Sequence, residues 1–163
     1  MNTHFDRKLS SILFVGDLKN NRSVHSLIKL VNRYYDNVKI YFLEIDGLEF
    51  DDSVFVKRDN FKHIKTYDDC ISFVDVVYMT RIQIERLDQT DPNIITKYKD
   101  ITMTPEVMKK MKNISIVLHP LPRNYEINPI CDNDPRAKYF QNVENGVYVR
   151  MGLLNYCLNG FNY

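Results

Sequence analysis

The sequence has few cysteines and almost no net charge, and it lacks long apolar runs. The three cysteines, Cys70, Cys131 and Cys157, are odd in number and show no CxxC spacing. Such a set supplies neither a disulfide framework nor a zinc site, and the thiols are expected to behave as small hydrophobes. Lys and Arg number 22 against 21 Asp and Glu, leaving +1. A chain so balanced has no overall field for nucleic acid or an anionic membrane, so electrostatic recognition has to be local. The longest apolar runs have the length of strands, well short of the roughly 20 residues of a membrane span. The stretch from Met1 to Arg7 has no apolar core of the signal-peptide kind. The expected setting is cytoplasmic, with neither nucleic acid nor membrane as partner. There is no internal repeat, Gly/Ser linker, GxGxxG loop, Ser-His-Asp pattern or paired-carboxylate acid/base site. Gly16 alone is too weak to argue a nucleotide loop. No metal and no cofactor are expected.

At 163 residues, the chain is long enough for one domain with its own core. Strand-like runs alternate with helix-like ones. Ile12 to Val15 ends at Gly16-Asp17, and Val38 to Leu43 follows. Lys62-His63-Ile64 is a weaker third candidate, Val74 to Met79 a fourth and Ser115 to Leu118 a fifth. Continuous apolar strands separated by helical spacers indicate a parallel sheet covered on both faces. The expected fold is therefore α/β: a single three-layer domain with a mainly parallel sheet of about five strands and helices on both faces.

The clearest helix starts near Asn21. Val24, Leu27, Ile28 and Val31 fall at i, i+3, i+4 and i+7, making one buried stripe, and Asn20 or Asn21 can cap it. A short helix is expected over Tyr67 to Phe73 and another from Pro105 to about Met111. A last helix is expected from roughly Gly146 to Leu158. Its apolar residues lie on two faces, with Val147, Met151, Leu154 and Leu158 on one and Val149, Leu153 and Tyr156 beside it. Such breadth fits a helix lying between two bodies or one deeply buried in a core. The domain division read from this is a tail at 1–10, an α/β domain at 11–142 and a C-terminal helix segment at 143–163.

The chemistry gathers after strands one, four and five. The first is followed by Gly16-Asp17-Leu18-Lys19-Asn20-Asn21-Arg22, the fourth by Thr80-Arg81-Ile82-Gln83-Ile84-Glu85-Arg86, and the fifth by His119-Pro120-Leu121-Pro122-Arg123. In a parallel sheet all three lie on one edge, so Lys19, Arg22, Arg81, Arg86 and Arg123 are expected to collect there. Two prolines make the third loop rigid. Rigid loops at the carboxyl ends of strands are where α/β proteins place ligands. Arg22 at a helix start is unfavourable by itself, but it makes sense if an anion sits between it and the free N–H groups. Guanidinium grips carboxylate or phosphate with two prongs, which lysine cannot copy. Two such groups with the Gln83 amide suit a small ligand with two carboxylates, and Asp17 and Glu85 can hold the arginines in place.

These segments, in this order, resemble the aspartate-binding domain of aspartate carbamoyltransferase. The resemblance rests on Gly16 to Lys19, Arg22-Ser23-Val24-His25-Ser26-Leu27, Tyr78 to Arg86 and His119 to Arg123. Asp134 to Gln141 and Asn145 to Arg150 complete it, so that it covers about Leu9 to Leu158. It implies joining of carbamoyl phosphate to L-aspartate, giving N-carbamoyl-L-aspartate and phosphate, in pyrimidine biosynthesis. It further implies that Arg22 holds one aspartate carboxylate and Arg81 with Gln83 the other. The backbone at Pro120 and Leu121 would face the amine and the carbamoyl group, with a cis Leu121-Pro122 bond. Arg86 would order a closing loop. Asp17, Lys19, His25, Glu85, His119 and Arg123 would support the site.

Asn21 stands where the family usually has Gly, which the left-handed region open to Asn would accommodate, and Ser23 stands where it has Thr. The family's carbamoyl phosphate domain, with its Ser-Thr-Arg-Thr motif, has no counterpart in this sequence. Carbamoyl phosphate is therefore expected only through a protein partner carrying that domain, with the isolated chain inactive or nearly so. The alternatives are a non-catalytic aspartate-sensing or protein-binding module, a truncated gene product, or a related transferase acting on ornithine. Against the last, that branch usually has Cys where Pro120 stands.

Overall fold

The computed structural model describes residues 8–35, 37–54, 59–83 and 94–160. Five strands form one sheet: β1 (Ser11–Gly16), β2 (Lys39–Glu44), β3 (Phe61–Ile64), β4 (Val76–Met79) and β5 (Ile116–Leu118). Their spatial order is β3-β2-β1-β4-β5 and every pairing is parallel. β1, β2, β4 and β5 are where the apolar runs place them, and the weaker candidate Lys62-His63-Ile64 also forms a strand, extended by Phe61.

Successive side chains of a strand point to opposite faces, and here both faces are dry. Leu13, Val15, Tyr41, Leu43, Val77, Met79 and Val117 share one core with Tyr67, Ile71, Met103, Met108 and Tyr139. Ile12, Phe14, Ile40, Phe42, Val76 and Tyr78 share the other with Val24, Ile28 and Val31. These last three belong to α1 (Arg22–Tyr34), whose apolar stripe is the one the sequence spacing announces. The 3-10 turn Tyr67–Asp69, α2 (Ile94–Ile101) and α3 (Pro105–Lys110) follow between the later strands. Where a short helix over Tyr67 to Phe73 is expected, the 3-10 turn is followed by a second turn, in which Phe73 N and Val74 N donate to Cys70 O at 3.0 and 3.1 Å. Thr104 caps α3 by accepting the Val107 N–H at 3.3 Å, with Pro105 in the first turn.

The outer edge of β5 is covered by the segment after it. Val117 N donates to Arg136 O at 2.8 Å, and Lys138 N donates to Val117 O at 2.9 Å. This satisfies an edge that would otherwise invite another strand. The chain then enters α4 (Tyr139–Asn159), which begins seven residues before the start the sequence suggests. Gly146 sits within this helix rather than at its beginning, and the expected division at residue 143 falls inside it. Tyr139 is buried, whereas Val143, Val147, Met151, Leu154 and Leu158 are 44 to 80% exposed. The reading of α4 as a deeply buried core helix is thus incorrect: only its root packs on the sheet.

Cys70 and Cys131 are buried and Cys157 is exposed, all as free thiols. Burial, helped by Asp69, pushes the Cys70 thiol up to about 12, which suits a packing role. Among the described residues no helix is long and apolar enough to cross a membrane.

The two ends of the sheet are held differently. At the amino end, the Asp75 Oδ2 accepts the N–H groups of Ser10 and Ser11 at 2.9 and 3.0 Å, and Oδ1 pairs with Lys112 Nζ at 2.5 Å. Desolvation raises the Asp75 pKa, but hydrogen bonds from Lys112 and Ser10 together outweigh it and bring the value to about 2. At the carboxyl end, Gly16 has φ +114, and a Cβ there would stand 2.3 Å from Thr80 O. Only glycine lets β1 and the segment after β4 approach so closely.

Two outcomes are expected. Gly16→Ala should destabilise the fold by about 3 kcal/mol, combining backbone strain and overpacking. Gly47→Ala, with φ +88 but nothing within 4 Å of the added carbon, should cost only about 1 kcal/mol; urea midpoints test the contrast. For Asp75, a folded value below the unfolded one means stability that is present above about pH 4 and lost as pH falls toward 2. Asp75→Asn should therefore cost up to about 2 kcal/mol at pH 7, with the gap from wild type closing across that acid window in denaturant titrations.

Candidate functional site

The strand order places a topological switch at β1. The chain runs outward from β1 through β2 to β3, then returns to β4 on the other side. In doubly wound sheets, the crevice beyond the carboxyl ends at such a point is where ligands sit. A cleft of about 270 Å³ opens there. The β1–α1 turn contributes Asn20, Asn21, Arg22 and Ser23, the segment after β4 contributes Arg81 and Gln83, and the segment after β5 contributes Pro120, Leu121 and Pro122. All three expected segments thus meet, and the five residues given binding roles, Arg22, Arg81, Gln83, Pro120 and Leu121, share one wall.

Asn21 caps α1, accepting the N–H groups of Ser23 and Val24 at 3.1 and 3.3 Å. Its φ of −86° and ψ of 101° are extended. The left-handed conformation expected of Asn21 is therefore not adopted, because an N-cap takes β-region angles. Arg22 follows as the first helical residue and is exposed, although the Ser23 and Val24 N–H groups beside it are already taken by the Asn21 cap.

Asp17 is fully buried. Its carboxylate accepts Asn20 N at 2.9 Å and Asn20 Nδ2 at 3.2 Å, and on the other side Gln83 N at 3.4 Å. Among the described residues it braces the backbone of the two loops that carry Arg22 and Arg81. Thr80 adds a second tie through Oγ1, which donates to Val15 O at 3.0 Å. Lys19 turns away from the cleft: its N–H donates to Leu48 O at 3.1 Å and its Nζ lies 3.4 Å from Gly47 O. His25 donates through Nε2 to Leu18 O at 2.8 Å and meets the Phe50 ring edge-on, so it supports the same turn from behind.

The third loop is held from below. His119 is fully buried, its Nδ1 lying 2.8 Å from Leu121 N and its Nε2 2.9 Å from Glu126 Oε1. Leu121 has φ +51 and the Leu121–Pro122 peptide is cis. Arg123 does not join the cationic edge. It makes a two-pronged pair with Asp132, with Nη2 2.6 Å from Oδ2 and Nη1 bonded to Oδ1. It also stacks over Tyr139 and Phe140, with its guanidinium carbon 5.5 and 5.8 Å from the ring centres. Hydrogen bonds from Arg123 hold the Asp132 carboxyl below its ordinary range. A guanidinium with a fitted carboxylate nearby forms that pair in preference to facing an open cleft. Glu85 and Arg86 lie outside the described residues.

A larger cleft of about 410 Å³ lies at the opposite, amino end of the strands, beside Asp75, Ile116 and Arg136. Two of its charges are already paired, Asp75 with Lys112 and Arg136 with Asp134. The smaller cleft, with two guanidinium groups and an amide converging at the switch point, has the better chemistry for a ligand.

The sequence and the fold match known proteins in the same sense. Residues 8–157 match the model of the "Aspartate/ornithine carbamoyltransferase, Asp/Orn binding domain". The aspartate carbamoyltransferase catalytic subunit of Clostridium acetobutylicum is 42% identical over 146 residues, covering 85% of this chain and 46% of that protein. The catalytic subunit of aspartate transcarbamoylase from M. jannaschii superposes with a TM-score of 0.80 at 35% identity, over 91% of this chain and 49% of the other. The aspartate transcarbamoylase of Trypanosoma cruzi in complex with N-(phosphonacetyl)-L-aspartic acid also gives 0.80, at 31% identity, over 93% of this chain and 50% of the other. The chain spans about half the length of these catalytic subunits. With the family model matched over nearly all its length, the chain belongs to the aspartate/ornithine carbamoyltransferase family and corresponds to its amino-acid-binding domain.

Proposed function

We propose that the cleft binds L-aspartate and that the chain serves as the aspartate-binding part of a carbamoyltransferase. The observation that carries this reading is the meeting of Arg22, Arg81 and Gln83 with the Pro120–Leu121 backbone in one cleft at the switch point. Arg22 takes one carboxylate, and Arg81 with Gln83 takes the other, in the two-pronged geometry guanidinium favours. The amine then faces the backbone at Pro120 and Leu121. Ornithine is the poorer fit, because its side-chain ammonium would lie against a guanidinium instead of offering it a carboxylate. The Trypanosoma cruzi relative in complex with a phosphonacetyl derivative of L-aspartic acid supports the same ligand class.

In the reaction, the neutral aspartate amine attacks the carbonyl carbon of carbamoyl phosphate. An N–C bond forms, the C–O bond to phosphate breaks, phosphate leaves with the bonding pair, and the nitrogen loses one proton. The contribution assigned to this chain is positioning: it holds a doubly charged nucleophile with its amine directed out of the cleft. Carbamoyl phosphate and the donors that polarise its carbonyl come from a partner domain seated along α4. The support for that docking face is the apolar run from Val143 to Leu158, exposed over its whole length while the helix root is packed.

Two outcomes are expected. In calorimetry, Arg81→Ala should weaken L-aspartate binding by about 100-fold or more, and Arg81→Lys should recover little of it, since a point charge lacks the fork. Unchanged affinity in a folded Arg81→Ala would reject the site. In a product assay, the chain alone should form no carbamoyl aspartate, and adding a carbamoyl phosphate-binding domain should restore formation. Leu154→Asp on α4 should block that restoration while leaving aspartate affinity unchanged. Binding without turnover, even with the added domain, would instead favour a non-catalytic sensing module.

A further inference from the structure

Glu126 belongs to no motif, yet it is as dry as the core: it and His119 are both 0% exposed. A buried carboxylate is costly unless its oxygens are bonded. Here Oε1 meets His119 Nε2 at 2.9 Å, and both oxygens take the Asn124 N–H, at 3.1 and 3.2 Å. The other ring nitrogen, Nδ1, lies 2.8 Å from Leu121 N. A backbone N–H can only donate, so Nδ1 is bare. Nε2 therefore carries the ring proton and directs it at Glu126. Glu126 thus selects the one tautomer that can receive the Leu121 amide. That amide belongs to a bulky residue at φ +51, a conformation that persists only where the surroundings impose it.

We propose that Glu126 is a positioning residue of the cleft, which acts through His119 to hold the Leu121 amide and so aims the Pro120–Leu121 backbone at the bound amine. The relay itself stands on the geometry of the free protein; only the identity of the ligand rests on the aspartate reading. A carboxamide at 126 could turn its N–H₂ toward Nε2, which would drive the ring proton to Nδ1 and set it against the Leu121 N–H. An asparagine at 119 would present its own oxygen to Leu121 in an Asx turn, without needing an acid at 126.

The test uses the full chain and three readouts: the His119 ring-proton position by nitrogen NMR, Leu121 amide exchange, and L-aspartate affinity by calorimetry. In wild type the ring proton should sit on Nε2. In Glu126→Gln it should move toward Nδ1, with Leu121 exchange about tenfold faster and the dissociation constant raised about tenfold, as for one lost buried hydrogen bond. The double variant H119N/E126Q should recover slow exchange and bring affinity to within about threefold of wild type, a rescue that a purely structural role would not produce. A wild-type proton on Nδ1 would overturn the relay, as would faster exchange in Glu126→Gln with unchanged affinity. If Glu126→Gln does not fold, His119→Asn against His119→Ala decides: equal Leu121 exchange in the two would overturn it. If the wild type shows the expected tautomer and slow exchange but binds no L-aspartate, the ligand assignment fails and the relay is judged on exchange alone.

Discussion

The buried Asp17 carboxylate is the tie on which the cleft depends. It sits where β1 ends and joins the turn at Asn20 to the backbone of Gln83, 66 residues beyond Asp17 itself. Because β1 and β4 are neighbours at the switch point, a single acid can reach both loops. The close approach of Gly16 to Thr80 brings them near enough. The cations of the cleft are thus placed by hydrogen bonds to the backbone that carries them. This leaves a guanidinium group such as Arg22, at the exposed start of α1, open to an incoming carboxylate.

Several of the described charges are committed to ion pairs away from the cleft. Arg123 and Arg136 are locked to Asp132 and Asp134, and Lys112 to Asp75, all at structural joints. Arg22 and Arg81 line the cleft. Near-neutral overall charge therefore coexists with a local cationic wall. The turn beneath that wall rests on β2 and its loop, through Leu18 and Lys19 N–H groups donated to Leu48 O at 3.2 and 3.1 Å.

Much of this was legible in the amino-acid order. Parallel strands buried on both faces need apolar runs, and such runs mark β1, β2, β4 and β5, whereas β3, with Lys62 and His63 exposed, carries the weaker signal. The α1 stripe and the Pro105 start were equally plain. α2 was not, since its eight residues mix Lys, Asp and Thr among its apolar ones. The apolar spacing of α4 is clearest beyond Gly146, whereas the helix begins at Tyr139, whose side chain is buried in the core. In the site, loops following parallel strands must share an edge, so the convergence of Arg22, Arg81 and Pro120 could be inferred. Which way a side chain turns could not. Arg123 finds Asp132, nine residues away, and nothing in Asn124-Tyr125-Glu126 signals a carboxylate folded back under the His119 loop.

The grip of Arg123 at the root of α4 has a mechanical consequence. Its guanidinium holds Asp132 and reaches the Tyr139 hydroxyl at 3.2 Å, while its backbone follows directly on Pro122 at the cleft. The base of a helix about 30 Å long is thereby pinned to the rim of the ligand cavity. Torque applied to the free end of that lever is passed in part, through this guanidinium, to the Pro122 rim of the cleft.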